Sequence, residues 1–178
     1  DIDDGRGSYG GEDEEEGEGP VSVDLFAGGG GASVAIRRAT GRSPVLAVNH
    51  DPAAIEMHRR NHPETEHRCE SVYAVDPVQA MRGRKIDVLW ASPNCAHFSR
   101  AKGSKPLDHN IRGLAWVVCD WAERVQPRVI CLENVAEFAS WGPLDDEGRP
   151  IRSRAGETFA LFLTRLRAAG YTVEHRVL

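Results

Sequence analysis

Short apolar runs alternate with amphipathic stretches along most of this chain. The apolar runs are four to six residues long and end in glycine, proline or polar residues, which is typical of buried parallel strands. They predict strands at residues 21–26, 45–49, 86–91 and 129–132, and the more polar stretch at residues 66–70 predicts a fifth. The stretches between and after them predict helices at residues 32–39, 52–61, 77–82, 114–125 and 159–166. This alternation predicts an α/β fold, a doubly wound and mostly parallel sheet with helices on both faces.

The last segment, residues 171–178, predicts a sixth strand that is still running at Leu178. A doubly wound domain normally has at least one strand beyond such a position. We therefore expect the sheet to be incomplete at its carboxyl end. A missing carboxyl-terminal region, or a second polypeptide, would complete it.

Charge divides the chain into two parts. The 178 residues carry a formal net charge of −5, but residues 1–20 hold nine acidic residues and one basic residue. That tail has a net charge of −8, which leaves +3 on residues 21–178. We expect the acidic tail to be disordered and residues 21–178 to form a single folded domain. The weakly basic domain is compatible with a polyanionic partner.

No signal peptide and no apolar stretch long enough to cross a membrane is visible, so we expect a cytoplasmic protein. The four cysteines form no CxxC pair, which predicts neither a zinc site nor a disulfide framework. Cys119 and Cys131 fall in apolar stretches and are predicted to lie in the core. His58 and His62 are one helical turn apart without a third ligand, so we expect surface residues and no metal.

A glycine-rich loop, Gly28 to Gly31, joins the first predicted strand to the first helix. Such a loop lets a ligand approach the backbone closely, and the helix amino end favours negative charge. A plain tight turn is the alternative, although four glycines exceed what a turn needs. Ser33 occupies the last position of the GxGxxG fingerprint, so the loop alone fits a nicotinamide cofactor or S-adenosylmethionine. After the second strand Asn49 could bind a ribose, whereas Asp51 is better explained as a helix cap.

Cys95 lies in the polar segment that follows the fourth predicted strand, where open α/β sheets place their chemistry. A nucleophilic cysteine must be exposed and partly ionised, and His97, Arg100 and Lys102 supply positive charge nearby. The alternative is a small buried hydrophobic residue, which is the commoner fate of a free cysteine. The polar neighbours of Cys95 favour the nucleophile.

Glu133 directly follows the fifth predicted strand, and we expect it to be partly buried. Burial raises the pKa of a carboxyl group, so that it can donate a proton near neutral pH. A carboxylate that caps a loop or pairs with an arginine is the alternative. Because Glu133 and Cys95 follow strands of one sheet, we predict a nucleophile and acid that face one crevice.

Three motifs taken together resemble the DNA (cytosine-5) methyltransferases. Residues 24–31 (DLFAGGGG) resemble the first motif of that family, which holds S-adenosylmethionine, and residues 93–99 (PNCAHFS) resemble its catalytic loop. Residues 133–135 (ENV) resemble its glutamate motif. Order and spacing agree, and the resemblance covers residues 21–178. It implies a Rossmann-like, S-adenosylmethionine-dependent methyltransferase fold.

The resemblance implies that Cys95 adds covalently to cytosine carbon 6, that Glu133 assists at ring nitrogen 3, and that the base is flipped out of DNA. It implies cofactor contacts from Phe26, Ala27, Gly28, Gly30, Gly31, Asn49, His50, Ser71 and Leu114. Glu70 is an alternative to Ser71 at the adenine amino group. It implies DNA contacts from Ser99, Arg100 and Lys102. Arg100 and Lys102 have solvated loop charges as their alternative.

The target recognition domain and the arginine motif of that family have no counterpart in these residues. A catalytically incomplete, S-adenosylmethionine-binding fragment or subunit that needs a second polypeptide is therefore an open alternative. A nicotinamide-dependent oxidoreductase is a second one, and RNA is an alternative substrate. The resemblance implies a bacterial or phage-encoded enzyme, as in restriction–modification systems.

Overall fold

The computed structural model describes residues 19–93, 109–147 and 149–177 of the chain. Within them, five strands form one parallel sheet in the order β3-β2-β1-β4-β5. The strands are β1 (Ser22–Leu25), β2 (Leu46–Asn49), β3 (Glu66–Cys69), β4 (Val88–Ala91) and β5 (Val129–Leu132). All five predicted strands are confirmed. The strand order reverses between β1 and β4, which creates the crevice at which open α/β sheets bind ligands.

Helices connect and flank the strands. They are α1 (Gly31–Thr40), α2 (Pro52–Asn61), α3 (Pro77–Met81), α4 (His109–Val125) and α5 (Glu157–Ala168). The predicted cap of α2 is confirmed, because the Asp51 side chain accepts a hydrogen bond of 2.8 Å from the Ala53 amide. Pro52 then occupies the first helical position, where its missing N–H costs nothing. Gly41 ends α1 with a φ of +80°.

The core lies between the central strands and α4. Every residue of β1 is buried, as expected for a parallel strand covered on both faces. The predicted helical spacing on α4 is confirmed, because Val117, Val118, Trp121 and Ala122 are buried. Helix α4 packs against α3 and α5, so these helices cover the β1–β4 part of the sheet as one layer.

The predicted sixth strand is wrong within the described residues 171–177, which have no regular secondary structure. A strand needs a partner, and β5 does not serve as one. The segment is held by its side chains instead: the Tyr171 hydroxyl donates 2.7 Å to the Pro127 carbonyl, and Val173 packs against the core. Residues 171–177 and β5 line a common cavity of about 830 Å³.

The remaining segments are irregular or lie outside the described residues. Residues 138–154 form an irregular excursion with two 3-10 turns, Ala136–Ser140 and Arg152–Arg154. Most of the predicted acidic tail and residues 94–108 lie outside the described residues. None of the helices in the described part of the chain has the length and apolar character needed to cross a bilayer.

We expect Leu89→Ala to lower the free energy of unfolding by about 2–5 kcal/mol, because it opens a cavity beside the central strands. Leu89 on β4 has no exposed surface, whereas Leu161 on α5 is 55% exposed. Leu161→Ala is therefore the matched control and should change the stability by less than about 0.5 kcal/mol. Urea unfolding measures both, and equal effects would contradict the assigned core.

Candidate active site

The carboxyl ends of β1, β2 and β4 meet at one edge of the sheet. The Ala27 amide donates 3.0 Å to the Val48 carbonyl, and the Ser92 amide donates 3.4 Å to the Leu25 carbonyl. The loop after β1 is therefore tied to the ends of both neighbouring strands. This is the position at which the sequence predicts a cofactor loop.

The glycine loop starts from an unusual backbone conformation. Phe26 has a φ of +62°, in the left-handed region that costs a non-glycine residue on the order of 1–3 kcal/mol. Gly30 has a φ of +104° just before α1 begins. By contrast, Gly28 is exposed, and a Cβ atom added to it would meet no atom within 4 Å. No contact with a described residue requires glycine at position 28, and the space beside its backbone is open to a ligand.

Asn49 fixes this loop from the end of β2. Its side-chain amide donates 2.7 Å to the Ala27 carbonyl, and its side-chain oxygen accepts 2.9 Å from the Asp51 amide. Asn49 therefore connects the glycine loop to the start of α2. Its predicted contact with a ribose stays a prediction, as do those of His50 and Ser71, which are exposed at the ends of β2 and β3.

Glu133 lies beside the segment that leads to Cys95. The Glu133 amide donates 3.0 Å to the Ala91 carbonyl, which extends the β4–β5 ladder by one step. Pro93, two residues further along, is the last described residue before Cys95. The expectation that Glu133 is partly buried is wrong, because the residue is exposed. The reason is that β5 is the edge strand, and no further strand of the described chain covers the end of it.

Several predicted site residues lie outside the described residues: Cys95, Ser99, Arg100 and Lys102. Leu114 lies on α4, but its side chain is outside the described part. Their assignments stay predictions.

Two of the other cysteines are poor nucleophiles, which favours Cys95. Burial raises the pKa of the Cys119 thiol to about 11, and burial also raises the pKa of the Cys131 thiol. Cys119 is fully buried, and Cys131 is half-buried on β5. Cys69 is exposed at the end of β3, which is the sheet edge opposite to β5.

The prediction that His58 and His62 are surface residues is wrong. Their exposed fractions are 0% and 1%; His58 lies on α2, His62 directly follows this helix, and both rings lie beside Gly30 of the glycine loop. His58 Nε2 is 2.9 Å from Ser33 Oγ, which itself donates 2.7 Å to the buried Asp24 carboxylate. A signal was present in the sequence, because both histidines follow Ile55 at helical spacing and so continue a buried stripe.

Burial lowers the pKa of His62 and of His67, and the nearby His58 lowers both further. The Ser43 hydroxyl lies 3.0 Å from His62 Nδ1 and donates 2.6 Å to the Glu64 carboxylate. This hydrogen bond lowers the pKa of Glu64. Despite these histidines, the described residues contain no cluster of three or more side chains placed to hold a metal ion.

A family model described as "C-5 cytosine-specific DNA methylase" matches residues 21–178. The chain is 26% identical over 158 residues to Type II methyltransferase M.AgeI of Thalassovita gelatinovora. It is 32% identical over 121 residues to Type II methyltransferase M.XorII of Xanthomonas oryzae pv. oryzae. These alignments cover 86% and 65% of this chain, but 34% and 28% of the relatives. The chain thus spans about a third of the length of these curated relatives.

A solved structure with a similar fold is a prophage-encoded E. coli protein described as a DNA modification methyltransferase. Its TM-score is 0.63 at 22% identity, over 84% of this chain and 38% of that chain. At this level of identity the likeness concerns the fold alone. It confirms the doubly wound parallel sheet that the alternation predicts and the Rossmann-like methyltransferase fold that the resemblance implies.

Gly28 and Gly30 should respond differently to substitution by alanine. We expect Gly30→Ala to lower the free energy of unfolding by about 1–3 kcal/mol, since its positive φ is strained for alanine and its new Cβ would lie 3.0 Å from the His62 ring. Gly28→Ala meets no atom, and its effect should stay within about 1 kcal/mol. Thermal or urea unfolding compares them, and an equally damaging Gly28→Ala would contradict this loop geometry.

Proposed function

This chain belongs to the C-5 cytosine-specific DNA methylase family, and we propose on that premise that it forms the cofactor-binding and catalytic part of a DNA (cytosine-5) methyltransferase. The observation that carries the proposal is the match over residues 21–178, in a fold where the ends of β1, β4 and β5 are neighbours. The three motifs that predict the activity are attached to those three strand ends.

S-adenosylmethionine is the proposed cofactor, and it supplies an electrophilic methyl group when bound. The geometry of the glycine loop fits such a ligand, because the backbone at Gly28 is open while Asn49 and the Val48 carbonyl hold Ala27 in place. The exposed His50 and Ser71 at the neighbouring strand ends would line the same edge. A preformed loop with an open backbone favours tight binding, since little order has to be created on binding.

Cys95 is the proposed nucleophile and Glu133 the proposed acid. The Cys95 thiolate forms a bond to cytosine carbon 6 while Glu133 donates a hydrogen bond or a proton to ring nitrogen 3. This step makes carbon 5 nucleophilic, so that it would take the methyl group from the sulfonium of S-adenosylmethionine, and S-adenosylhomocysteine would leave. Loss of the carbon 5 proton and cleavage of the bond between Cys95 Sγ and carbon 6 would then release 5-methylcytosine and return the thiolate.

The exposure of Glu133 fits this role in an open site. A flipped base would enter beside Glu133 and exclude water, so that the carboxyl group would hydrogen-bond to the base and not to solvent. Ser99, Arg100 and Lys102 follow Cys95 in sequence and are the proposed contacts to DNA phosphates. The Glu133 carboxyl group would thus be enclosed only when the target base is in place.

We further propose that additional polypeptide completes the sheet next to β5 and supplies target recognition. Two observations support this: the relatives are about three times as long, and no described strand pairs with the outer edge of β5, which lies beside a cavity of about 830 Å³. Phe138, Phe159 and Phe162 line that cavity, so its occupant should present apolar side chains. A β-strand from a carboxyl-terminal region or from a second subunit meets both requirements.

The nicotinamide-dependent oxidoreductase gains no support from the family match. The type II relatives favour a role in restriction–modification, in the cytoplasm of a bacterium or of a phage-infected cell. An assay of methyl transfer to both DNA and RNA decides which of the two is the substrate.

Gly28→Ala should weaken the binding of S-adenosylhomocysteine, the demethylated product, by about tenfold or more, while the fold stays intact. The reason is that the new methyl group fills the open space beside the loop backbone. Isothermal titration calorimetry on the 178-residue chain measures the affinity. Val78→Ala, on the exposed surface of α3, is the control and should bind as the unmodified chain does. Unchanged affinity of Gly28→Ala would contradict the proposal that the ligand binds at this loop.

Cys95→Ala should abolish the transfer of labelled methyl groups to DNA and leave S-adenosylhomocysteine binding within about twofold, because the thiolate acts on the base. Glu133→Gln should lower turnover at least tenfold with little change in cofactor affinity. Both variants are compared in whichever polypeptide supports transfer, this chain alone or the chain completed by a recognition region. Undiminished transfer by Cys95→Ala would disprove the proposed nucleophile.

A further inference from the structure

A buried chain of hydrogen bonds runs from the surface of β3 to the centre of β1. It consists of His67, His58, Ser33 and Asp24, and we call it the histidine chain. We propose that the histidine chain is a proton-responsive support of the glycine loop, which weakens cofactor binding when it takes up a proton. The proposal rests on the proposed function, because it assigns the cofactor to that loop.

The hydrogen bonds of the histidine chain all run in one direction, from His67 toward Asp24. Ser33 has a single hydroxyl hydrogen, and it donates this hydrogen to Asp24 Oδ2 at 2.7 Å. Ser33 Oγ must therefore accept the second bond, at 2.9 Å, from a proton on His58 Nε2. A neutral His58 then has a free lone pair on Nδ1, which lies 2.9 Å from His67 Nε2 and accepts its proton. All donors point toward Asp24.

This direction leaves His67, at the half-buried end of the histidine chain, as the entry for a proton, and a hydrogen bond to the Thr65 backbone favours a proton there. A proton that arrives there makes an imidazolium, which can pass its Nε2 proton to His58 Nδ1 along their hydrogen bond. His67 is then neutral again, and the positive charge lies on His58, 3.9 Å from Asp24 Oδ2. The other oxygen of Asp24 is buried without a hydrogen-bond partner among the described residues, so this carboxylate attracts a positive charge.

The histidine chain includes residues on both sides of the glycine loop. Asp24 lies two residues before Phe26, and Ser33 lies in the first turn of α1, three residues after Gly30. The His62 ring is 4.8 Å from the His58 ring and packs directly beneath Gly30. Asn61 adds a 3.0 Å hydrogen bond to the Gly29 carbonyl. A change in charge or position of His58 is therefore transmitted to the loop through contacts at its start, middle and end.

The surroundings of the histidine chain determine whether protonation stabilises or destabilises the fold. Titratable and charged groups face the histidine chain from every neighbouring element. They are Asp24 on β1, Arg37 on α1, Arg59 on α2, His62 and Glu64 after α2, and His67 on β3. Burial and the neighbouring histidine lower the pKa of both His62 and His67 from 6.5. The unfolded chain thus binds more protons below pH 6.5 than the folded chain. Stability is complete above pH 6.5 and declines as the pH falls toward the lowered values.

The test measures S-adenosylhomocysteine affinity by calorimetry between about pH 7.5 and about pH 5.5, where histidine titrates. We expect the affinity of the unmodified chain to fall about threefold or more over this range. His67→Gln, at the half-buried end, should remove most of this pH dependence, and so should His58→Gln if it folds. His175→Gln is the matched control, because His175 is exposed and packs against Phe159, away from the loop. Its pH profile should follow that of the unmodified chain.

The outcomes separate the two proposals. If His67→Gln and His58→Gln keep the full pH dependence, the histidine chain does not act on the loop and the inference is overturned. If the unmodified chain binds no S-adenosylhomocysteine at any pH, the proposed function fails instead. In that case nitrogen-15 NMR of the histidine rings tests the histidine chain separately. A proton on His58 Nε2 supports the inference, as do amide shifts of Gly30 and Ser33 that follow the titration of His67. A proton on His58 Nδ1 alone overturns it.

Discussion

The reversal of strand order at β1 is the constraint on which the candidate site depends. Neighbours β2 and β4 lie on either side of β1, so the helices that follow β1 and β4 leave in opposite directions and open a crevice between them. The chain must turn sharply as it leaves Leu25, and it does so with a left-handed Phe26. Such a conformation persists only where the surroundings impose it. Here the ties to Val48, Asn49 and Ser92 impose it from both neighbouring strands.

Buried polar groups inside the sheet layer support this turn. An apolar residue at position 24 would be the simplest filling for a buried parallel strand. The chain has Asp24 instead, which accepts a hydrogen bond from Ser33, and His58 in turn is hydrogen-bonded to Ser33. A buried carboxylate with such partners orders the first turn of α1 more strictly than apolar packing does, because hydrogen bonds specify direction. The loop is thus rigid at both ends and open at Gly28.

Local sequence patterns are sufficient to predict most of the framework. Apolar runs locate four of the five strands, and Asp51-Pro52 locates the start of α2, because burial on both faces and helix capping leave signals within a few residues. The edge strand β3 is mostly polar and leaves a weaker signal. The misjudged positions depend on neighbours that are distant in sequence. Burial of His58 depends on Asp24 and Ser33, which turn a histidine into a satisfied core residue. Exposure of Glu133 depends on its strand being the edge of the sheet.

The same reasoning explains why residues 171–177 have strand-like sequence but no strand. Alternating half-buried and exposed positions, such as Tyr171 and Thr172, reflect a segment that rests with one face on the core. Sheet formation also needs an unpaired backbone edge at hydrogen-bonding distance, and the cavity beside β5 keeps that edge away. A strand inserted there would pair with β5 on one side and with this segment on the other. It would also cover the end of β5, where Glu133 is now exposed, so completing the sheet and enclosing the proposed acid would be one event.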